Sequence, residues 1–79
     1  MSKIFGRIEK NSVEEIRFSF CEWNGKEYVD VRVWIKEDPE EGRKEIPTRK
    51  GIRFNAELLP EFIKILRKMD KKMGGEGED

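Results

Sequence analysis

Ile16-Arg17-Phe18-Ser19-Phe20-Cys21-Glu22-Trp23-Asn24-Gly25-Lys26-Glu27-Tyr28-Val29-Asp30-Val31-Arg32-Val33 is the stretch that decides the fold. Asn24-Gly25 stands between two runs that alternate apolar and polar residues. Asn-Gly is the strongest short-range signal for a two-residue hairpin turn, because both central residues of that turn need positive φ. Once the turn is set the register follows, since a slip of one residue would exchange the two faces. Trp23 is then expected opposite Lys26, Cys21 opposite Tyr28, Ser19 opposite Asp30 and Arg17 opposite Arg32. On the other side Phe20 meets Val29, Phe18 meets Val31 and Ile16 meets Val33. One face is purely apolar, and the other mixes cations, serine and aromatic rings. A sheet needs one apolar face to fold, which leaves the second available for binding.

Working outward, the first strand is expected from about Val13 to Trp23 and the second from Glu27 to Glu37, in residues that suit a pleated surface. Asp38-Pro39-Glu40-Glu41-Gly42 is a turn cluster. Short, less regular strands follow around Lys44 to Thr48 and Gly51 to Phe54, with Pro47 marking an edge or a distortion. Upstream, Met1 to Asn11 reads as a loop or short edge strand, because Gly6 interrupts any clean period among Ile4, Phe5 and Ile8. Downstream, Asn55 is an N-cap for a helix whose first turn carries Glu57. Pro60 predicts a kink or a late start, and Gly74-Gly75 ends the helix near Met73. The chain thus divides into an arm or edge strand (1–12), one domain (13–73) and an acidic tail (74–79).

Leu59, Phe62, Leu66, Met69 and Met73 make one apolar stripe, expected to cover the apolar sheet face. Leu58, Ile63 and Ile65 widen the arc beyond what one small sheet occupies. A second copy would bury the remainder. Seventy-nine residues bury little surface and need reinforcement. Cys21, the lone cysteine, cannot form an internal disulfide, and without histidine the usual zinc sets are out of reach. Oligomerisation is what remains. A free cysteine, with no signal-like or membrane-length apolar run, argues for a reducing intracellular setting, the cytoplasm or nucleoid in a prokaryote, and for no membrane partner.

Charge is dense but balanced, with 17 basic and 17 acidic residues, which counts against binding by bulk charge alone. Its distribution is uneven. Arg43, Lys44, Arg49, Lys50 and Arg53 lie close together in sequence against Glu45 alone. On the polar hairpin face, Trp23, Tyr28 and Trp34 accompany Arg17, Lys26 and Arg32. Rings that stack on bases and cations that track phosphates are how proteins hold single strands, at about 1–3 kcal/mol per stacked base. The competing reading packs both tryptophans under other segments and leaves the arginines as a solvated face. Asp30 is unfavourable for phosphate unless it pairs with Arg17 or Arg32. No carboxylate pair sits in an evident pocket, the glycines form no phosphate loop, and no cofactor or metal is indicated. The chain does not read as an enzyme.

The order Ile16-Arg17-Phe18-Ser19-Phe20, Trp23-Asn24-Gly25-Lys26, Tyr28-Val29-Asp30-Val31-Arg32, Asp38-Pro39-Glu40, Arg49-Lys50-Gly51-Ile52 and Phe54-Asn55 resembles the positive cofactor four transcriptional coactivators. The resemblance covers about Val13 to Lys71. It implies an α+β domain: a four-stranded antiparallel sheet followed by a kinked C-terminal helix, forming a homodimer through the helices. Interface residues would be Leu59, Phe62, Ile63, Leu66, Met69 and Met73. It also implies single-stranded DNA binding along concave sheet surfaces, in transcription regulation, with the transcription machinery as a further partner. Carried over by position, contacts fall on Trp23, Lys26, Arg32, Arg49 and Lys50. Together with the hairpin parity, the DNA-binding set becomes Arg17, Trp23, Lys26, Tyr28, Arg32, Trp34, Arg49, Lys50 and Arg53. Three departures stand out: Ile35 where the family often has an aromatic, Thr48 where glycine is common, and Pro60 inside the helix. No stretch of these residues resembles the serine- and acid-rich regulatory arm of eukaryotic members, and the expectation is a compact prokaryotic or viral version. Single-stranded RNA and a transcription-factor peptide are the alternative ligands.

Overall fold

The computed structural model describes residues 2–74, so the expected acidic tail lies outside the described residues apart from Gly74. Four antiparallel strands form a simple meander: β1 (Ser2–Glu9), β2 (Glu14–Trp23), β3 (Lys26–Ile35) and β4 (Ile46–Asn55). A 3-10 turn (Ala56–Leu58) leads into α1 (Leu59–Lys72). Asn24 and Gly25 both take positive φ, at 54° and 75°, and the β2–β3 register is the one the turn dictates. Arg17 pairs with Arg32, Ser19 with Asp30, Phe18 with Val31 and Trp23 with Lys26.

The four strands are counted differently from the sequence reading. Met1 to Asn11 is more than an arm, because Ser2–Glu9 forms a full edge strand along β2. Gly6 marks a register shift rather than the end of pairing, and the bulge turns Phe5 edge-on to Phe20, with ring centroids 6.2 Å apart. Asn11 closes the β1–β2 turn by accepting from the Val13 and Glu14 amides at 2.9 and 2.7 Å. The two short strands expected on either side of Lys50 are one strand, β4, with a second irregularity opposite Val33.

Thr48 and Gly51 build that irregularity. The Thr48 hydroxyl donates to the Val33 carbonyl at 2.7 Å and accepts from the Lys50 amide at 3.1 Å. A Cβ on Gly51 would fall 2.6 Å from the Arg32 Cα and closer still to the Val31 carbonyl oxygen, so only glycine lets β4 approach β3 there. Between β3 and β4, Asp38 accepts from the amides of Glu40 and Glu41 and caps a 3-10 turn (Pro39–Glu41) that Gly42 ends at φ 71°.

Pro60 produces the late start rather than the kink. Asn55 caps the 3-10 turn by accepting from the Glu57 amide at 2.8 Å, and the α-helix begins only at Leu59, with Pro60 in its first turn, where an amide donor has no partner in any case. The expectation that the helical stripe blankets the sheet needs correction. α1 meets the sheet at its start, where Phe62 stacks on Phe54 with centroids 3.9 Å apart and Leu59 borders an apolar cleft with Phe5, Phe18, Phe20 and Val29. Farther along, Leu66, Met69 and Met73 are exposed. Among the described residues no apolar side chain is fully buried, and the fold measures only 18 Å in its thinnest direction. A single sheet with a projecting helix lacks the second layer that a domain core requires. No helix among the described residues is long and apolar enough to cross a membrane.

Candidate nucleic-acid interface

Strand parity puts Arg17, Ser19, Cys21 and Trp23 of β2 on one face with Lys26, Tyr28, Asp30, Arg32 and Trp34 of β3. β4 adds Arg53 opposite Asp30, and β1 adds Arg7 opposite Arg17. The polar face therefore assembles as expected, and it is open at the hairpin end. Trp23 is 66% exposed. Together with the half-buried Tyr28 and the guanidinium of Arg53 it lines a cleft of about 350 Å³. An indole, a phenol and a cation around one cleft provide two stacking surfaces and a phosphate partner in the space of one nucleotide. Lys26, Arg49 and Lys50 are exposed as well, the last two in the irregular part of β4.

The middle of the face is different in character. Its only buried residues are charged: Glu15, Arg17 and Asp30, at 8%, 3% and 7% exposure. Arg17 donates from Nε to Glu15 at 2.6 Å and from Nη2 to Glu45 at 2.5 Å, while Arg7 approaches Glu15 at 3.5 Å. The Arg17 guanidinium also lies over the Trp34 ring, 4.1 Å from its centroid. Burial works against the charge on this guanidinium, but the Glu45 and Glu15 carboxylates more than offset that and raise its pKa. Glu45 in turn is held below the ordinary carboxylate range by its hydrogen bond from Arg17. Burying a charge is tolerable only when it is paired and hydrogen-bonded, and here every buried side-chain polar atom among the described residues has a partner.

A second cluster forms around Asp30. Arg32 donates to it from Nη2 at 2.9 Å and from Nε at 3.1 Å, and uses Nη1 to reach the Thr48 carbonyl at 3.0 Å. Arg53 stands 3.9 Å from the other Asp30 oxygen. The Asp30 hydrogen bond raises the Arg32 pKa against a smaller opposing effect of burial.

Two expectations for this face change. Arg17 is not a free cation, because Glu15 and Glu45 neutralise it, and Trp34 is not an open stacking platform, because Arg17 covers one of its faces. Arg32 is mostly committed to Asp30 and to the β4 backbone. Exposed positive charge lies toward the hairpin end and along β4, at Lys26, Arg49 and Lys50 and at Arg53, whose guanidinium keeps only a long 3.9 Å approach to Asp30. Sequence reasoning missed Glu15, Glu45 and Arg7. The first shares the parity of Arg17 and was legible; the second is 28 residues from its partner, with no local signal. Among the described residues no acidic, cysteine or histidine group is arranged to hold a metal ion.

Comparison with known proteins agrees with this geometry. The family model described as Transcriptional Coactivator p15 (PC4) matches residues 10–65. An orthorhombic crystal structure of the PC4 homologue from Burkholderia pseudomallei superposes with a TM-score of 0.76 at 30% identity, covering 87% of this chain and 89% of that one. Its tetragonal form gives 0.75 at 30% identity, covering 89% and 98%. A bacteriophage T5 homologue of the eukaryotic coactivator, implicated in recombination-dependent DNA replication, shares the fold with a TM-score of 0.53 at 22% identity, over 89% of this chain and 80% of that one. No curated protein matches. By its family model, its four-stranded meander with one projecting helix, and its likeness to the Burkholderia homologue, this chain belongs to the Transcriptional Coactivator p15 (PC4) family.

Proposed function

We propose that this protein binds single-stranded DNA, with little sequence preference, as a dimeric transcription-regulating domain. The cleft between Trp23, Tyr28 and Arg53 carries the reading: an indole two-thirds exposed beside a cation offers most of its surface to a ligand. Bases stack on Trp23 and Tyr28, while phosphates follow Lys26, Arg53, Arg49 and Lys50. Exposed rings favour single strands over duplex, whose bases are already stacked within the helix. The dimer rests on burial. The apolar sheet face is only partly covered by the start of α1, and Ile63, Ile65 and Leu66 on the helix are exposed in one copy. A second copy packed through Leu59, Phe62, Ile63, Leu66, Met69 and Met73 supplies the missing layer and leaves both polar faces open.

Fluorescence titration with oligo-dT, oligo-rU and duplex DNA at two salt concentrations tests the ligand. Tight, salt-sensitive binding of dT with weak duplex binding is expected. Equal affinity for duplex and dT would refute the stacking site, and preference for rU would reassign the ligand to RNA. Sedimentation at micromolar concentration tests the assembly: a mass near twice 9.4 kDa is expected, and a monomer refutes the dimer.

A further inference from the structure

Beyond the Trp23 cleft, the polar face holds a second concavity of about 390 Å³, lined by Arg7, Glu15, Arg17, Lys36, Glu37 and Glu45. It contains three cations and three carboxylates, and the carboxylates are not equally fixed. Glu15 is sealed against Arg17, with a side chain only 10% exposed, and belongs to the scaffold. Glu45 comes from the irregular segment ahead of β4, keeps a side chain 48% exposed, and reaches in to cap the outward Nη2 of Arg17 at 2.5 Å. A carboxylate on a guanidinium offers the same paired oxygens as a phosphodiester. Arg17 is otherwise placed for a ligand: on the binding face, seated on Trp34, and on the same strand as Trp23, roughly 20 Å away at the usual rise per residue.

We infer that this concavity is a second phosphate subsite, kept closed by Glu45, which stands in for a backbone phosphate until a bound strand displaces it. The inference rests on the single-strand reading above and assigns Arg17, with Arg7 and Lys36 around it, to a phosphate taken up after the hairpin end has engaged. Displacement exchanges one ion pair on Arg17 for another, so the guanidinium is never left bare. Glu45 then acts as an internal competitor. It weakens binding and hides one phosphate contact from the salt dependence.

Glu45→Gln tests this, with Glu37→Gln as the control: a carboxylate on the same concavity with no bond to Arg17 among the described residues. Glu45→Gln is expected to tighten oligo-dT binding about two- to fivefold at low salt, the worth of a partly exposed ion pair. It should also steepen the slope of log K against log salt by about 0.7, one further phosphate on a single strand. Adding Arg17→Gln to that variant should abolish both gains. Equal effects from Glu45→Gln and Glu37→Gln, or gains that survive loss of Arg17, would reduce the matter to net charge and overturn the inference. Thermal melting checks that each variant folds, and Glu45→Asp, which keeps the charge but shortens the reach, should give part of the gain if Glu45→Gln unfolds. If dT binding in the native protein depends on Trp23 but is indifferent to Glu45, only the closed subsite falls. If neither the native protein nor Glu45→Gln binds dT, both readings fall.

Discussion

Replacing Trp23 with alanine separates binding from folding more cleanly than any other change on this face. The indole is 66% exposed, its register partner Lys26 is exposed, and its ring makes no close aromatic contact among the described residues. Most of its surface already meets water in the folded chain, so truncation should cost less than about 0.5 kcal/mol of stability, as for surface positions generally. The effect on a stacked base is larger. Loss of one base–ring stack is worth about 1–3 kcal/mol, or roughly a 5- to 150-fold weaker Kd for oligo-dT. Fluorescence anisotropy of a labelled oligonucleotide is the suitable assay, because the remaining indole, Trp34, lies beneath Arg17 and is a poor reporter of the hairpin end. Trp23→Phe should recover most of the affinity, since a smaller ring still stacks. An unchanged Kd in Trp23→Ala, with the same melting temperature as the parent, would refute the site. A large drop in stability would show instead that the ring packs within the fold.

Arg32 should behave differently from a simple phosphate contact. Arg32→Ala leaves the buried Asp30 with only the distant Arg53, so a loss of about 1–3 kcal/mol of stability is expected in urea unfolding; a stability-neutral variant would contradict the scaffold role. Gly51→Ala forces a Cβ against the β3 backbone, and a destabilisation of about 1–3 kcal/mol should appear as a lower denaturant midpoint at constant slope. A parent-like midpoint would mean that β4 can shift without cost. Two carboxylates, Glu14 through Asn11 and Lys10, and Glu45 through Arg17, sit below their ordinary pKa of 4.5 in the folded protein. Each takes up its proton more readily in the unfolded chain, so each contributes stability that is complete above that pH and fades as pH falls below it. Unfolding followed from pH 7 to pH 3 should show that decline, and it should be shallower in Glu45→Gln. Equal declines in both proteins would exclude the Arg17 pair as a source.

The parts legible in the sequence are those set by short-range geometry. Asn24-Gly25 can form only a narrow class of turns, and a strand has a period of two, so the partner and face of every residue from Ile16 to Val33 follow without the rest of the chain. The cap at Asn55 and the disturbance at Pro60 are equally local, one a side-chain acceptor and the other a missing donor, though only the 3-10 turn ahead of Leu59 decides between a kink and a late start. Period alone is a weaker guide where strands bend. Gly6 and the Thr48–Gly51 segment look like breaks in sequence, yet both are bulges that sheet pairing carries through, because the neighbouring strand supplies hydrogen bonds that a local reading does not count.

Parity says which way a side chain leaves the backbone, and only the tertiary structure says what is waiting there. Arg17 and Arg53 share a face, but Glu45, brought in from 28 residues along the chain, neutralises the first and leaves the second exposed beside Trp23. The apolar stripe of α1 is likewise plain in sequence, whereas the direction in which the helix leaves the sheet depends on the 3-10 turn and on Phe62 stacking against Phe54. Turn chemistry and strand period act over a few residues and can be read one segment at a time. Charge neutralisation and the covering of apolar surface depend on distances between remote segments, and those exist only once the chain has folded.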